Sequence, residues 1–161
     1  MLDLSRFLPG PHLAMMMADH GAEVIKIERP GAGEEMRGYE PKWDADSVNF
    51  ALLNRGKKSI TLDLKTETDQ ARLRPLLERC DVMLEQFRPG VMGRLGLDYD
   101  AVRAINPAIV YCSITGYGQT GPKAEQPGYD FMAQGLGGIM SITGPPGGEP
   151  HRVGIPIADL T

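Results

Sequence analysis

Asp159 is the acidic residue best placed for covalent chemistry, because it follows the apolar run Ile155-Pro156-Ile157-Ala158. A carboxylate at a strand-to-helix corner, partly desolvated and open on one face, can attack an activated acyl carbon and form a mixed anhydride. An ordinary helix cap stands at such a position too, and spacing alone leaves both readings open. The second set of chemical groups is basic: Arg29, Arg37, Arg55, Lys57, Lys58, Arg88 and Arg94 recur in loops beside expected strand ends. Such groups can hold the phosphates of a small nucleotide, or be a scatter of solvated charges. Phe87, next to Arg88-Pro89-Gly90, is either a stacking surface beside a cation or a core aromatic.

Other chemistries find little support. His12, His20 and His151 lack metal-site spacing, and no Gly-x-Ser-x-Gly elbow occurs. Cys80 and Cys112 have no CxxC spacing, suit a reducing compartment, and read as packing residues. The net charge is -4, so no global positive field exists to hold a nucleic acid or dock on an anionic membrane. No window approaches the roughly 18 apolar residues of a membrane span. A soluble, cytoplasmic protein is expected, and 161 residues suffice for one domain with a real core.

The elements that must position these groups alternate. Leu2-Asp3-Leu4 reads as the tail of a strand, and Gly10-Pro11 opens a helix that Gly21 ends. Glu23 to Glu28 forms a strand in which Val24 and Ile25 are adjacent, as burial on both sheet faces allows. A polar loop from Pro30 reaches about Ser47. Ser59 to Leu64 (strand), Thr68 to Arg79 (helix) and Asp81 to Glu85 (strand) repeat the pattern, with Pro75 expected to kink or restart the helix. Two short helical patterns follow, then a strand over Ala108 to Ile114. Beyond Gly116 the chain is rich in Gly and Pro, apart from a predicted helix near Asp130 to Ile142 and a further helix expected to begin around Asp159. The fold class is therefore α/β, with a Rossmann-like parallel sheet and flanking helices.

Within that fold, Glu28 stands where an acid would take a ribose hydroxyl. However, the turn Leu8-Pro9-Gly10-Pro11 lacks the glycines that GxGxxG needs for close approach to a pyrophosphate, which argues against NAD.

Several blocks occur in an order that resembles one family across nearly the whole chain. They are Leu2 to Arg6 with Gly10-Pro11, Gly21 to Gly31, Asn54 to Ser59, Glu85 to Gly90, Ser113 to Gly118, Pro127 to Asp130, and Ile157-Ala158-Asp159. This order is that of the class III CoA transferases, a family that includes formyl-CoA and carnitine CoA transferases and α-methylacyl-CoA racemase. The resemblance implies a Rossmann-like large domain and a small domain, in two chains threaded as interlocked rings. Residues 1–161 would be the N-terminal part of the large domain, with the small domain and the C-terminal return absent.

By the same resemblance, Asp159 is the nucleophile that attacks the acyl-CoA thioester and passes through an aspartyl anhydride and an aspartyl-CoA thioester. Coenzyme A, a substrate and not a permanently bound cofactor, would be held by Arg6, Phe7, Leu8 and Pro9, by Arg29 near the phosphates, by Lys65, by Gln86 and Phe87 around the adenine, and by Arg94 and Leu95. Gln86 replaces the usual asparagine, and Pro127 stands where one transferase type has lysine. The racemase pairs its acid with a histidine where this chain has Tyr129, and tyrosine is a poor base near neutral pH. His151 would substitute only if the loop Gly144 to Pro150 carried it into the site. The expected reaction is CoA transfer from an acyl-CoA to a carboxylic acid, with Tyr129 beside the substrate and a homodimer as the full-length form. The alternatives are a 2-methylacyl-CoA racemase, or an inactive fragment that binds CoA or another chain.

Overall fold

The computed structural model describes residues 1–161, which form two compact units, Met1–Ile114 and Thr115–Thr161. In the first unit, β1 (Leu2–Leu4) leads into α1 (Pro9–Asp19) and β2 (Ile25–Glu28). A 3₁₀ turn (Glu35–Gly38) and the small antiparallel pair β3 (Lys42–Trp43) and β4 (Asp46–Ser47) follow. Then come α2 (Val48–Asn54), β5 (Lys58–Thr61), α3 (Glu67–Arg79), β6 (Val82–Glu85), α4 (Val91–Arg94), α5 (Tyr99–Ile105) and β7 (Val110–Ser113).

Five strands make one parallel sheet in the order β5-β2-β1-β6-β7. The chain winds outward from β1 to β5, then returns to β6 and β7 on the other side of β1. That reversal between β1 and β6 is the switch point at which doubly wound sheets bind ligands. Both faces are covered, so apolar residues sit side by side along a strand. Met83 packs with Leu2, Leu73, Leu77 and Val102, whereas its neighbour Leu84 packs with Ala14 and Val24.

Helix starts follow local chemistry. Thr66 caps α3 by accepting from Asp69 N–H at 3.3 Å, and Asp98 caps α5 by accepting from Ala101 N–H at 3.0 Å. α2, which falls just after the expected loop, is capped in the same way by Ser47. α3 runs through Pro75 without interruption, contrary to the expected kink. Pro75 and Ala71, whose carbonyl loses its usual donor, lie on the exposed face, where solvent can serve that carbonyl.

In the second unit, the expected helix over Asp130 to Ile142 divides into α6 (Asp130–Leu136) and a 3₁₀ turn (Ile139–Ile142). Gly138, at φ 81°, takes a left-handed conformation that breaks the run. α7 (Ile157–Leu160) is the last element. No helix is long and apolar enough to cross a membrane.

Candidate functional site

The carboxyl ends of β1, β2 and β5 open onto a cavity of about 700 Å³ beside the switch point. Leu4 to Arg6 follow β1, Ile27 to Pro30 end β2, Leu62 to Lys65 follow β5, and Phe87 follows β6. α4 adds Val91 and Arg94, with Leu95 next to them. The structure thus brings Arg6, Arg29, Lys65, Phe87, Arg94 and Leu95 around one space. The lining is mixed: five cations, counting the buried Lys26, four acids, one aromatic ring and an aliphatic wall.

Phe7, Leu8, Pro9 and Gln86 do not line the cavity. Leu8 and Pro9 form the start of α1. The Gly10 N–H there donates to Gln86 Oε1 at 3.3 Å, so a side-chain amide occupies the helix start where a Rossmann pyrophosphate would sit. A Cβ on Gly10 would run into Ser5 and come within 2.9 Å of Gln86 Oε1. This one glycine lets α1 close onto the end of β1. Phe7 has φ 64°, uncommon for an aromatic residue, and its N–H donates to Glu34 Oε1 at 2.8 Å.

Beneath the cavity lies a buried charge network. Asp3 and Lys26 are register partners on adjacent strands, and both are buried. Lys26 Nζ lies 2.6 Å from Glu34 Oε2 and donates to Ser5 O at 3.0 Å. Lys57 Nζ donates to Asp3 Oδ2, Pro11 O and Asn54 Oδ1, each at 2.9 Å. Burial pushes the Lys57 pKa down against the pull of Asp3. Glu28 receives Arg37 through Nε at 2.8 Å and Nη2 at 2.7 Å, Ser59 Oγ at 2.5 Å and Glu34 N–H at 2.9 Å. Burial raises the Glu28 pKa, but these donors outweigh it and hold it at about 2.

These contacts sort the basic residues read from the sequence. Arg37 serves Glu28, Arg55 pairs with Asp19, Lys57 is buried against Asp3, and Lys58 pairs with Glu23. Arg88 is exposed, which leaves Arg29 and Arg94 of that set on the cavity wall. Glu28 is committed to Arg37 and Ser59 and does not present a free carboxylate for a ribose. Sequence reasoning missed Glu34 and Glu35. The usable signal was the charged residues Asp3 and Lys26 inside apolar strands, since charges buried there demand partners.

In the second unit, Asp159 is half-buried in the first turn of α7. Pro156, not Asp159, stands at the N-cap, so the cap reading of Asp159 is corrected. No strand precedes it; the corner is built instead by α6. Asp130 Oδ1 accepts from Ala158 N–H at 2.8 Å, and Gln134 Nε2 donates to Asp130 Oδ2 at 2.7 Å. Buried Gln134 also accepts from Val153 N–H at 2.8 Å, tying the approach to α7 onto α6. Burial first, and then the Asp130 charge, raise the Asp159 pKa. Gly116 and Gly128 pack backbone to backbone, leaving no room for a Cβ on either. Tyr129, next along the chain, is exposed. His151 is exposed as well, with Nδ1 2.6 Å from Glu149 O. Burial raises both the Cys80 and Cys112 thiols, in keeping with packing roles.

The family model described as CoA-transferase family III matches residues 1–161. A succinate–glutarate CoA-transferase of Agrobacterium fabrum is 45% identical over 99% of this chain and 42% of its own length. An acetyl-CoA:oxalate CoA-transferase of Acetobacter aceti is 47% identical over 95% of this chain and 39% of its own. The crystal structure of a CAIB/BAIF family protein from Brucella suis superposes with a TM-score of 0.93 at 44% identity, covering 99% of this chain and 43% of that one. The chain thus spans about two fifths of the length of the curated relatives it matches.

Proposed function

Because the chain belongs to CoA-transferase family III, we propose that its cavity holds the nucleotide half of coenzyme A and that Asp159 is the nucleophile of an acyl-CoA:carboxylate CoA transfer. The observation that carries this reading is the gathering of Arg6, Arg29, Lys65 and Arg94 around Phe87 at the carboxyl ends of the sheet. Cationic side chains answer phosphates, and an aromatic face answers a base.

In the proposed reaction the Asp159 carboxylate attacks the thioester carbonyl and the CoA thiolate leaves, giving an acyl-aspartyl anhydride. The thiolate then attacks the aspartyl carbonyl, releasing the donor acid and leaving an aspartyl-CoA thioester. The acceptor carboxylate attacks that thioester, and the freed thiolate takes the new acyl group, restoring Asp159. A half-buried carboxylate with a raised pKa is less stabilised by solvent and more nucleophilic once ionised, which suits this role. The activities for which these relatives are named support dicarboxylic acids, such as succinate, glutarate or oxalate, as the acid class. The small domain and the interlocked homodimer belong to the same proposal.

Incubation with acyl-CoA and hydroxylamine followed by intact and peptide mass analysis tests it. A hydroxamate on Asp159 is the expected product. Its absence, both here and in a chain extended through the small domain, would refute the covalent route.

A further inference from the structure

We infer that Glu35 is a built-in competitor for the cavity's arginines, which weakens the grip on nucleotide phosphates and so sets the selectivity of the pocket. This inference rests on the reading of the cavity as the coenzyme A nucleotide site. Glu35 Oε1 is shared by two guanidinium groups, Arg6 Nη1 at 3.2 Å and Arg29 Nη1 at 3.1 Å. Its other oxygen, Oε2, is buried and accepts no hydrogen bond. A carboxylate oxygen left without a donor is uncommon and unfavourable, so the arginines, not a complete set of bonds, keep Glu35 in place. Being buried, Oε2 is also not presented to a ligand.

The other acids on the wall are engaged. Glu28 is taken by Arg37, Glu34 by Lys26, and Asp63 Oδ1 accepts from the Lys65 backbone N–H. Glu35 is thus the carboxylate that faces the cavity's arginines. Each arginine has a further contact besides Glu35. Arg29 Nε donates to Gly33 O at 2.8 Å, and the Arg6 guanidinium lies 5.8 Å from the Phe7 ring centre and 5.5 Å from that of Phe87. Both remain partly open to solvent, at 41% and 56% exposure, so an entering phosphate can reach them. It then meets two cations already sharing a negative charge and must displace that charge to use their full strength. For a transferase that must release CoA products, such a brake favours turnover over tight retention.

The test is calorimetric titration of the full chain and of Glu35→Gln with CoA and with pantetheine, which carries none of the nucleotide phosphates. The variant should bind CoA about tenfold more tightly, a gain of about 1.4 kcal/mol, with pantetheine unchanged and the CoA advantage shrinking as salt is added. Glu35→Ala, which leaves no amide near the arginines, should move in the same direction. Equal or weaker CoA binding in both variants, or an equal gain for pantetheine, would overturn the inference while leaving the CoA site in place. A wild-type chain that binds no CoA would overturn the site reading, and this inference with it.

Discussion

Lys57 and Lys58 are adjacent in sequence, yet replacing each with Met should have very different consequences. The Lys57 side chain is 1% exposed and donates to three acceptors, one of them the fully buried Asp3 carboxylate. In Lys57→Met, Asp3 Oδ1 still accepts from Ser5 N–H and Ser5 Oγ, but Oδ2 is left with only Lys26 Nζ at 3.8 Å, beyond hydrogen-bond reach, while Pro11 O and Asn54 Oδ1 lose the same donor. Removing one partner of a buried ion pair costs about 3–5 kcal/mol. Burying the Lys57 ammonium is itself unfavourable, as its lowered pKa records, so a value near the lower end, about 3 kcal/mol, is expected. With a urea m-value of about 2 kcal/mol/M, the unfolding midpoint should fall by about 1.5 M. Lys58 pairs with Glu23 at the surface, with side chains 71% and 67% exposed, and its loss should leave the unfolding midpoint nearly unchanged. Far-UV circular dichroism is the suitable probe, because the single tryptophan, Trp43, is itself exposed and reports poorly on the core. The double variant Asp3→Asn/Lys57→Met should recover part of the loss. Equal midpoints for Lys57→Met and Lys58→Met would refute the buried-network reasoning.

The Glu28 pKa, held at about 2 against an ordinary 4.5, makes a stabilising contribution that is fully present above pH 4.5 and is lost as pH falls toward 2. It should be worth about 2 kcal/mol after allowing for solvent screening on the Arg37 side. The stability gap between wild type and Glu28→Gln in urea titrations should therefore narrow as pH falls from 4.5 toward 2; a constant gap would contradict it. Gly10→Ala forces a methyl into Ser5 and toward Gln86 Oε1, and should lower stability by about 1–3 kcal/mol. An unchanged thermal midpoint would show that α1 has room to move. Arg94→Ala and Lys65→Ala should each raise the CoA dissociation constant about tenfold or more without affecting pantetheine. A parallel loss for pantetheine would place these side chains against the wrong half of the ligand.

The alternation of strands and helices was legible because it is written in local periodicity. A strand buried on both faces reads as a contiguous apolar run, and Met83 and Leu84, each buried against a different core cluster, show why. Caps such as Thr66 and Asp98 also act within three residues and can be read directly. Pro75 and the Gly137-Gly138 pair show where local rules mislead. A proline is tolerated if its freed carbonyl faces solvent, and a glycine pair ends a helix only if the chain turns there.

What the tertiary structure alone decided is which charges face which partners. The sequence presents Lys57 beside Lys58, and Arg29 near Arg37, as equivalent cations; the strand pairings send Lys57 inward to Asp3, 54 residues away, and Arg37 to Glu28, while Arg29 reaches the cavity. Arg6 meets Glu35 across 29 residues for the same reason. Local spacing determines helix and strand because those bonds close within a few residues. The pairing of a buried charge depends on strand order and register, and so on contacts that exist only once the sheet has formed.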